Sequence, residues 1–219
     1  MKLEWSPETA SKAYIDTVKS CEIFQESGVA ELVSAMAAGW NAKLIVEAWS
    51  RGGVVMTSVG LAVASQHTGG RHVCVVPDEQ SRAEYAEAME RAGMSPEVVV
   101  GVAEEAMEGL PGVDFLVVDC RRRDFERTIR AAKLGQRGGV VVCKNASSRS
   151  EGSSTGTVWR SAVGEGWRVV RAVYLPVGKG LEIAHVGRSS GAGEKEMGKK
   201  RRWIKHVDQE SGEEHVFRR

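Results

Sequence analysis

The sequence predicts an α/β fold, a mostly parallel seven-stranded sheet with helices on both faces. From about residue 42 onward, short apolar segments alternate with helical segments, a pattern typical of parallel sheets. The last two apolar segments are joined through "GKG" and lie too close together for a helical crossover. We therefore expect an antiparallel last strand, with this pair at one edge of the sheet.

Two helices are predicted before the sheet. Ser6 is a predicted N-cap, Pro7 occupies the first helical position and Glu8 lies in the first turn, which together favour a helix start. A break at "ESG" separates this helix from a second one over Val29–Ala38. We expect residues 1–40 to pack on a core domain that spans residues 41–187.

The core domain is predicted to alternate between strands and helices. Apolar segments indicate strands at 42–49, 72–78, 97–103, 113–120, 138–145, 167–177 and 180–188. Helical periodicity indicates helices at 54–65, 79–93, 104–109 and 125–135.

Three segments lie outside this alternation. The Ser/Gly-rich stretch Asn145–Thr157 is predicted to be a mobile loop, and residues 188–200 a flexible linker. Apolar and polar residues alternate over 201–219 around a turn at "QESGEE", which predicts a short hairpin with basic and acidic residues.

Composition excludes few classes of protein. The chain has 219 residues, of which 42% are hydrophobic and 27% charged, as is typical of a soluble globular protein. A net charge of +1 gives no global argument for nucleic acid or a membrane. "MKLEWSPETA" lacks an apolar signal region and no segment approaches transmembrane length. We therefore expect a cytoplasmic or nuclear protein without membrane contact.

Cysteines and histidines give no strong metal motif. No cysteine pair has C-x-x-C spacing, and we interpret the four cysteines as reduced thiols. The histidines are scattered, although His206 and His215 are placed to face each other across the predicted hairpin.

The middle of the chain resembles the class I S-adenosylmethionine-dependent methyltransferases, most closely the caffeoyl-CoA and catechol O-methyltransferases. The matching motifs are "NAK" at 41–43, an acid and glycines after the first strand, "FLVVD" at 115–119 and "LPVGKG" at 175–180. The resemblance covers residues 28–187 and implies a Rossmann-like methyltransferase fold. The whole chain resembles a plant protein family that is filed in this superfamily because of its fold.

This resemblance implies a site for S-adenosylmethionine, starting at the first strand. Glu47, Gly52 and Gly53 correspond to the acid and the glycines that hold the methionine end of the cofactor, where glycine lets the backbone approach closely. Trp49 replaces the family's first glycine. We expect its indole to obstruct or remodel the pocket, or else to stack on a ligand.

The residues expected at the adenosine end match less well. Pro77 replaces the acid that binds the ribose hydroxyls in the family. Asp78, one residue later, either substitutes for that acid or is the N-cap of the following helix. Ala103 and Glu104 occupy the region that meets the adenine in the family.

The family's metal site is altered in this sequence. Metal-dependent members have an acid at the end of the fourth strand and adjacent Asp and Asn after the fifth, and these become Asp119, Lys144 and Asn145. Because an ammonium group cannot ligate magnesium, we predict no divalent metal. Asp119 and Lys144 are the candidate catalytic residues. Lys144 either forms an ion pair with Asp119 or acts as a base for a hydroxyl acceptor.

Two basic segments indicate further ligands or plain surface. The arginines at 121–123 either grip an acidic substrate beside the crevice or form a solvated run. Residues 199–206 combine basic residues with Trp203, a composition that leaves nuclear targeting or nucleic-acid contact open without favouring either. The acidic residues that follow favour a self-paired hairpin instead. The sheet edge and the apolar helices leave a homodimer open.

Two functions follow from these residues. The first is a metal-independent S-adenosylmethionine-dependent methyltransferase with an unknown small-molecule acceptor, in which proximity and orientation supply most of the catalysis. The second is a catalytically degenerate protein of the same fold that acts as a binding or scaffold module. The replacements at Trp49, Pro77 and Lys144 favour the second, because they fall on the predicted site and not on the core.

Overall fold

The structure, a computed structural model, describes residues 5–21, 28–149, 159, 162–189, 203–207 and 214–218. The chain divides into two units, Met1–Ser189 and Ser190–Arg219. Most of the predicted loop Asn145–Thr157, nearly all of the predicted linker and the turn of the predicted hairpin lie outside the described residues.

The first unit follows the predicted alternation of elements. Its helices are α1 (Pro7–Cys21), α2 (Val29–Gly39), α3 (Met56–Thr68), α4 (Glu79–Arg91), α5 (Ala103–Glu108), α6 (Phe125–Ala131) and a 3₁₀ helix (Ala146–Arg149). Its strands are β1 (Leu44–Ala48), β2 (Arg71–Val76), β3 (Glu97–Val100), β4 (Phe115–Asp119), β5 (Gly139–Lys144), β6 (Trp167–Leu175) and β7 (Leu181–Arg188).

The seven strands form one sheet in the order β3-β2-β1-β4-β5-β7-β6. The first five strands of the chain pair in parallel, while β7 is antiparallel to both β5 and β6. The predicted fold class is therefore confirmed. The strand order reverses between β1 and β4, and open α/β sheets bind ligands beside the carboxyl ends of strands at such a reversal.

Each face of the sheet has its own hydrophobic core, as β4 illustrates. Phe115 and Val117 are fully buried in the cluster that includes residues of α1, α2 and α3. Leu116 and Val118 are buried in the cluster that includes residues of α5 and α6. Side chains alternate between the two faces of a strand, so a strand covered on both sides reads as one continuous apolar run.

The helices α1 and α2 are tied to each other by polar contacts. The Ser6 hydroxyl accepts a hydrogen bond from the Thr9 amide at 3.4 Å, and the Ser6 amide donates to the Gly39 carbonyl at 2.9 Å. A buried hydrogen bond of 2.8 Å joins the Thr17 hydroxyl to that of Ser34. The first contact caps α1, and the other two hold α2 against α1.

The helix predicted over 125–135 is shorter than expected. It ends at Ala131, because the following residues extend and pair with the segment that precedes β4. The Lys133 carbonyl accepts hydrogen bonds from the amides of Gly112 and Val113, and Leu134 forms a parallel bridge with Val113. A tertiary pairing therefore outweighs the local helical pattern.

The second unit contains an antiparallel pair of strands, β8 (Trp203–Val207) and β9 (Glu214–Arg218). His206 is the register partner of His215, as the predicted hairpin requires. Among the described residues, no helix is long and apolar enough to cross a membrane.

We expect Gly60→Ala to destabilise the fold by about 1–3 kcal/mol, the range for overpacking a core. A Cβ at Gly60 in α3 would lie 2.6 Å from the Ala30 carbonyl oxygen and force α2 away from α3. The free energy of unfolding in urea measures the effect. Gly109→Ala is the control, because its Cβ would lie 3.6 Å from its nearest neighbour. Equal stabilities for the two variants would contradict this packing.

Candidate functional site

A cavity of about 380 Å³ opens at the carboxyl ends of β1, β4 and β5. Its walls are the loop after β1, the first turns of α2 and α3, the ends of β4 and β5, and the turn between β6 and β7. Small-molecule sites fall in this range of volume. The cavity lies where the strand order reverses, as the topology of the sheet predicts.

The loop after β1 forms a tight turn that requires glycine. The Trp49 amide donates to the Val75 carbonyl at 2.9 Å and extends the pairing of β1 with β2. The chain then turns back, and the Gly53 amide donates to the Ser50 carbonyl at 2.9 Å. Gly52 has φ +71°, a left-handed conformation that favours glycine. A Cβ on Gly53 would lie 2.8 Å from the indole nitrogen of Trp49.

The Trp49 side chain is packed beneath this loop. It is 3% exposed and lies in a cluster with residues of β2, α3 and α4. Its ring centroid is 5.3 Å from that of Tyr85, with the two planes inclined by 59°. Its indole nitrogen is buried and has no hydrogen-bond partner in the described part of the chain. The indole therefore remodels a wall of the cavity and leaves the cavity open.

The same loop is fastened to α4 by Glu84. The Arg51 Nε lies 3.3 Å from one carboxylate oxygen of Glu84, and the Gly52 amide donates to the other at 3.2 Å. The side chains of Arg51 and Glu84 are 58% and 44% exposed. Exposed ion pairs are worth about 0–1 kcal/mol, so this attachment is weak and the loop can separate from α4 at small cost.

Glu47 lies in the core beside the cavity and does not line it. It is 1% exposed, accepts a hydrogen bond of 2.9 Å from the Tyr85 hydroxyl, and lies 3.4 Å from His72 Nε2. Burial raises the pKa of Glu47, but the contact with His72 and the charge of Lys144 outweigh it and lower the pKa to about 2. Glu47 is therefore an ionised carboxylate held from below, beneath the loop that carries Gly52 and Gly53.

The residues predicted for the adenosine end are not gathered with the cavity. The Asp78 carboxylate accepts a hydrogen bond from the Ser81 amide at 2.7 Å and caps α4. Ala103 is 3% exposed in the core beneath α5. Glu104 lies 3.5 Å from Arg127. Of the predicted cofactor residues, Trp49, Gly52 and Gly53 line the cavity.

Asp119 does not form the predicted ion pair with Lys144, although the two are register partners on β4 and β5. Arg121 contacts its carboxylate at 2.7 Å through Nη2, and its own amide donates at 2.9 Å. The Asn145 side-chain amide donates at 2.8 Å. Burial raises the pKa of Asp119, but the hydrogen bonds from Arg121 and Asn145 outweigh it and lower the pKa. The predicted ion pair between Lys144 and Asp119 was wrong, because Arg121, two residues along the chain, pairs with this carboxylate instead.

Lys144 is left as a cation of the cavity wall. It makes no ion pair or hydrogen bond with any residue that the structure describes. Among the residues that the structure describes, the charged residues of the wall are three cations and one carboxylate: Asp119, Arg121, Lys144 and Lys179. Because Asp119 pairs with Arg121, this described part of the wall carries surplus positive charge.

Metal-binding groups are not clustered in the part of the chain that the structure describes. No group of three or more His, Cys, Asp or Glu side chains is placed to hold an ion there. Cys21, Cys74, Cys120 and Cys143 are buried and form no disulfide. Two of the three positions that hold the metal in the resembled family are Asp119 and Lys144 in this chain. The Asp119 carboxylate pairs with Arg121, and Lys144 is a cation.

Sequence reasoning missed three residues, of which one lines the cavity and two hold Glu47. Lys179 lies in "LPVGKG", a motif that was noted for its resemblance and not for its lysine. Tyr85 and His72, which hold Glu47, could have been sought, because an acid inside an apolar strand needs a buried polar partner. Their positions on α4 and β2 give no local signal of that contact.

The hydrogen-bond donors of the loop after β1 suit the methionine half of S-adenosylmethionine. The glycines of the loop, which allow close approach of the backbone, and the N-terminus of α3 fit the carboxylate of its methionine end. An orphaned buried donor, the Trp49 indole nitrogen, lies beside the same loop.

Solved structures share this fold at low sequence identity. A methyltransferase from Geobacter sulfurreducens is 18% identical, with a TM-score of 0.55 over 82% of this chain and 89% of that chain. An O-methyltransferase from Bacillus cereus in complex with S-adenosylhomocysteine is 16% identical, with a TM-score of 0.53 over 82% and 91%. The O-methyltransferase TomG from Streptomyces achromogenes, in complex with S-adenosylmethionine, is 21% identical, with a TM-score of 0.53 over 85% and 99%.

A search of curated proteins found no match. The model of the family described as "Protein of unknown function (DUF1442)" matches residues 1–219. The chain therefore belongs to the DUF1442 family, and its first unit has the fold of the class I methyltransferases.

We expect acid to weaken the fold through Glu47. Its pKa is lowered from 4.5 to about 2, so the ionised carboxylate stabilises the fold above pH 4.5 and this contribution is lost as the pH falls toward 2. Urea unfolding of wild type and Glu47→Gln should therefore differ most above pH 4.5 and converge below it. Glu90→Gln, an exposed site on α4, is the control, and its difference in stability from wild type should not change over this pH range. A difference that stays constant with pH would contradict the assignment.

Proposed function

We propose that this protein is an S-adenosylmethionine-dependent methyltransferase that works without a divalent metal and methylates a small acceptor. The observation that carries the proposal is the open cavity of about 380 Å³ at the carboxyl ends of β1, β4 and β5. The complexes from Bacillus cereus and Streptomyces achromogenes, which contain S-adenosylhomocysteine and S-adenosylmethionine, support it through their shared fold.

The loop after β1 would hold the methionine end of the cofactor. Gly52 and Gly53 present backbone to the cavity without side chains, and Thr57 lies in the first turn of α3. Glu47 supports this loop from below through its contacts with Tyr85 and His72. When bound, S-adenosylmethionine supplies a methyl group on a sulfonium that is already activated for attack.

Asp78, Ala103 and Glu104 remain the proposed adenosine-end residues. Because they do not line the cavity, we infer that the loop leaves Glu84 when that half binds. The cost is small, because an exposed ion pair contributes about 0–1 kcal/mol. A ligand at one hundred times its Kd stabilises the bound form by about 2.7 kcal/mol. Binding therefore outweighs the attachment of Arg51 to Glu84.

The chain's own chemistry at the acceptor side is positioning. Asp119 has a lowered pKa and donors on both carboxylate oxygens, so it orients Arg121 and Asn145 and takes up no proton near neutral pH. Lys144 provides a fixed positive charge where the resemblance places a metal ligand. Holding the acceptor oxygen in line with the methyl group is the effect that such a cavity supplies.

We expect the purified protein to bind S-adenosylmethionine and S-adenosylhomocysteine with micromolar affinity in calorimetric titration, with no metal added. Glu84→Gln should tighten binding two- to fivefold, about 0.4–1 kcal/mol, because the loop no longer has to leave a carboxylate partner. Glu87→Gln, an exposed site on the same helix, is the control. Millimolar magnesium should leave the affinity and the melting temperature unchanged.

Two outcomes would count against this proposal. Absence of binding at millimolar ligand would favour the alternative of a degenerate scaffold that keeps the fold. Binding of S-adenosylmethionine only when magnesium is added would show that the site requires a metal, which would contradict the proposed role of Lys144.

A further inference from the structure

Among the described residues that line the cavity, the positive charges outnumber the carboxylates. Arg121, Lys144 and Lys179 line it together with Asp119. Asp119 is engaged by Arg121 at 2.7 Å. Lys144 and Lys179 form no ion pair with any residue that the structure describes.

Lys144 is the more enclosed of the two lysines. It is half-buried at the end of β5, between Asp119 of β4 and Leu181 of β7. The carboxylate of Glu47 feels its charge, but Glu47 does not line the cavity. A partly desolvated ammonium without an ion-pair partner interacts more strongly with an anion than a surface lysine does.

The cofactor proposed above does not offset this charge. S-adenosylmethionine carries a sulfonium, an ammonium and one carboxylate, so it brings a net positive charge to the same cavity. A second ligand that is neutral would leave the cations uncompensated, which is unfavourable at low dielectric. A second ligand with an anionic group would compensate them.

The uncharged part of the wall indicates that the rest of this second ligand is apolar. Val54, Met56 and Leu181 line the cavity with apolar side chains. The volume of about 380 Å³ must also hold the methionine end of the cofactor. The acceptor is therefore small, with an apolar portion and an anionic end.

We propose that the acceptor is a small carboxylate with an apolar ring or chain, and that Lys144 binds one of its carboxylate oxygens. The other oxygen would form the bond to the methyl carbon while the methyl–sulfur bond breaks, so that the products are a methyl ester and S-adenosylhomocysteine and no proton is transferred. This inference deepens the proposed function, because it names the acceptor class for the same site. Lys144 acts by binding the charged end and orienting the acceptor. A carboxylate hydrogen bond to a cation is among the stronger polar contacts in proteins.

The test compares benzoate with benzamide, its uncharged isostere, by ligand-observed NMR on the full-length protein without cofactor. We expect wild type to bind benzoate at least tenfold more tightly than benzamide. Lys144→Met should weaken benzoate binding about tenfold or more, the loss expected for removing a charged hydrogen-bond partner. Lys144→Arg should retain most of the affinity.

Lys133→Met is the matched control, because Lys133 is exposed and donates to the Glu108 carbonyl outside the cavity. It should leave benzoate affinity unchanged. Circular dichroism melting of each variant verifies that the fold is intact. Added sodium chloride should weaken benzoate binding and leave benzamide binding unchanged.

Three results would overturn the inference: equal binding of benzoate and benzamide, unchanged benzoate affinity in a folded Lys144→Met variant, or no benzoate binding at millimolar concentration. Titration with S-adenosylhomocysteine on the same samples separates this inference from the proposed function. If benzoate binds and S-adenosylhomocysteine does not, the proposed methyltransferase function is wrong. If S-adenosylhomocysteine binds and benzoate does not, the function stands and the proposed acceptor class is wrong.

Discussion

The contact between Trp49 and Tyr85 is the constraint on which the site depends. An aromatic pair at 5.3 Å contributes about 0.5–1.5 kcal/mol beyond the area it buries. Tyr85 also donates its hydroxyl to Glu47 at 2.9 Å. One side chain of α4 thus fixes both the indole under the loop and the carboxylate beneath it, since a buried carboxylate is costly unless it is paired.

The shape of the cavity follows from this contact. Because the indole lies below the loop, Gly53 must lack a side chain, and the loop closes over the ring without filling the space in front of it. The other walls are set independently, by the ends of β4 and β5 and by α2. The hydrogen bond between Thr17 and Ser34 holds α2 in place from its far side. The cavity is therefore framed by rigid elements, apart from the loop that contacts Glu84.

The charge of the cavity has a separate origin, in the competition for Asp119. Arg121 and Asn145 donate hydrogen bonds to both of its carboxylate oxygens. Lys144 therefore forms no ion pair with Asp119. A fixed ammonium differs from a bound divalent ion because it can bind an anion without offering open coordination positions. The proposed surface for an acid therefore lies where the pattern of the O-methyltransferases places a metal ligand.

The sequence by itself determined the fold class, the order of the elements and the positions where this chain departs from the methyltransferase pattern. It could do so because apolar periodicity, caps and glycine turns are local properties of the chain. Only the tertiary structure decided that α6 ends at Ala131, that Arg121 takes Asp119 from Lys144, and that the Trp49 indole turns toward Tyr85. Those outcomes depend on which distant side chains meet, and the direction of a side chain in a packed core is set by neighbours that no local pattern records.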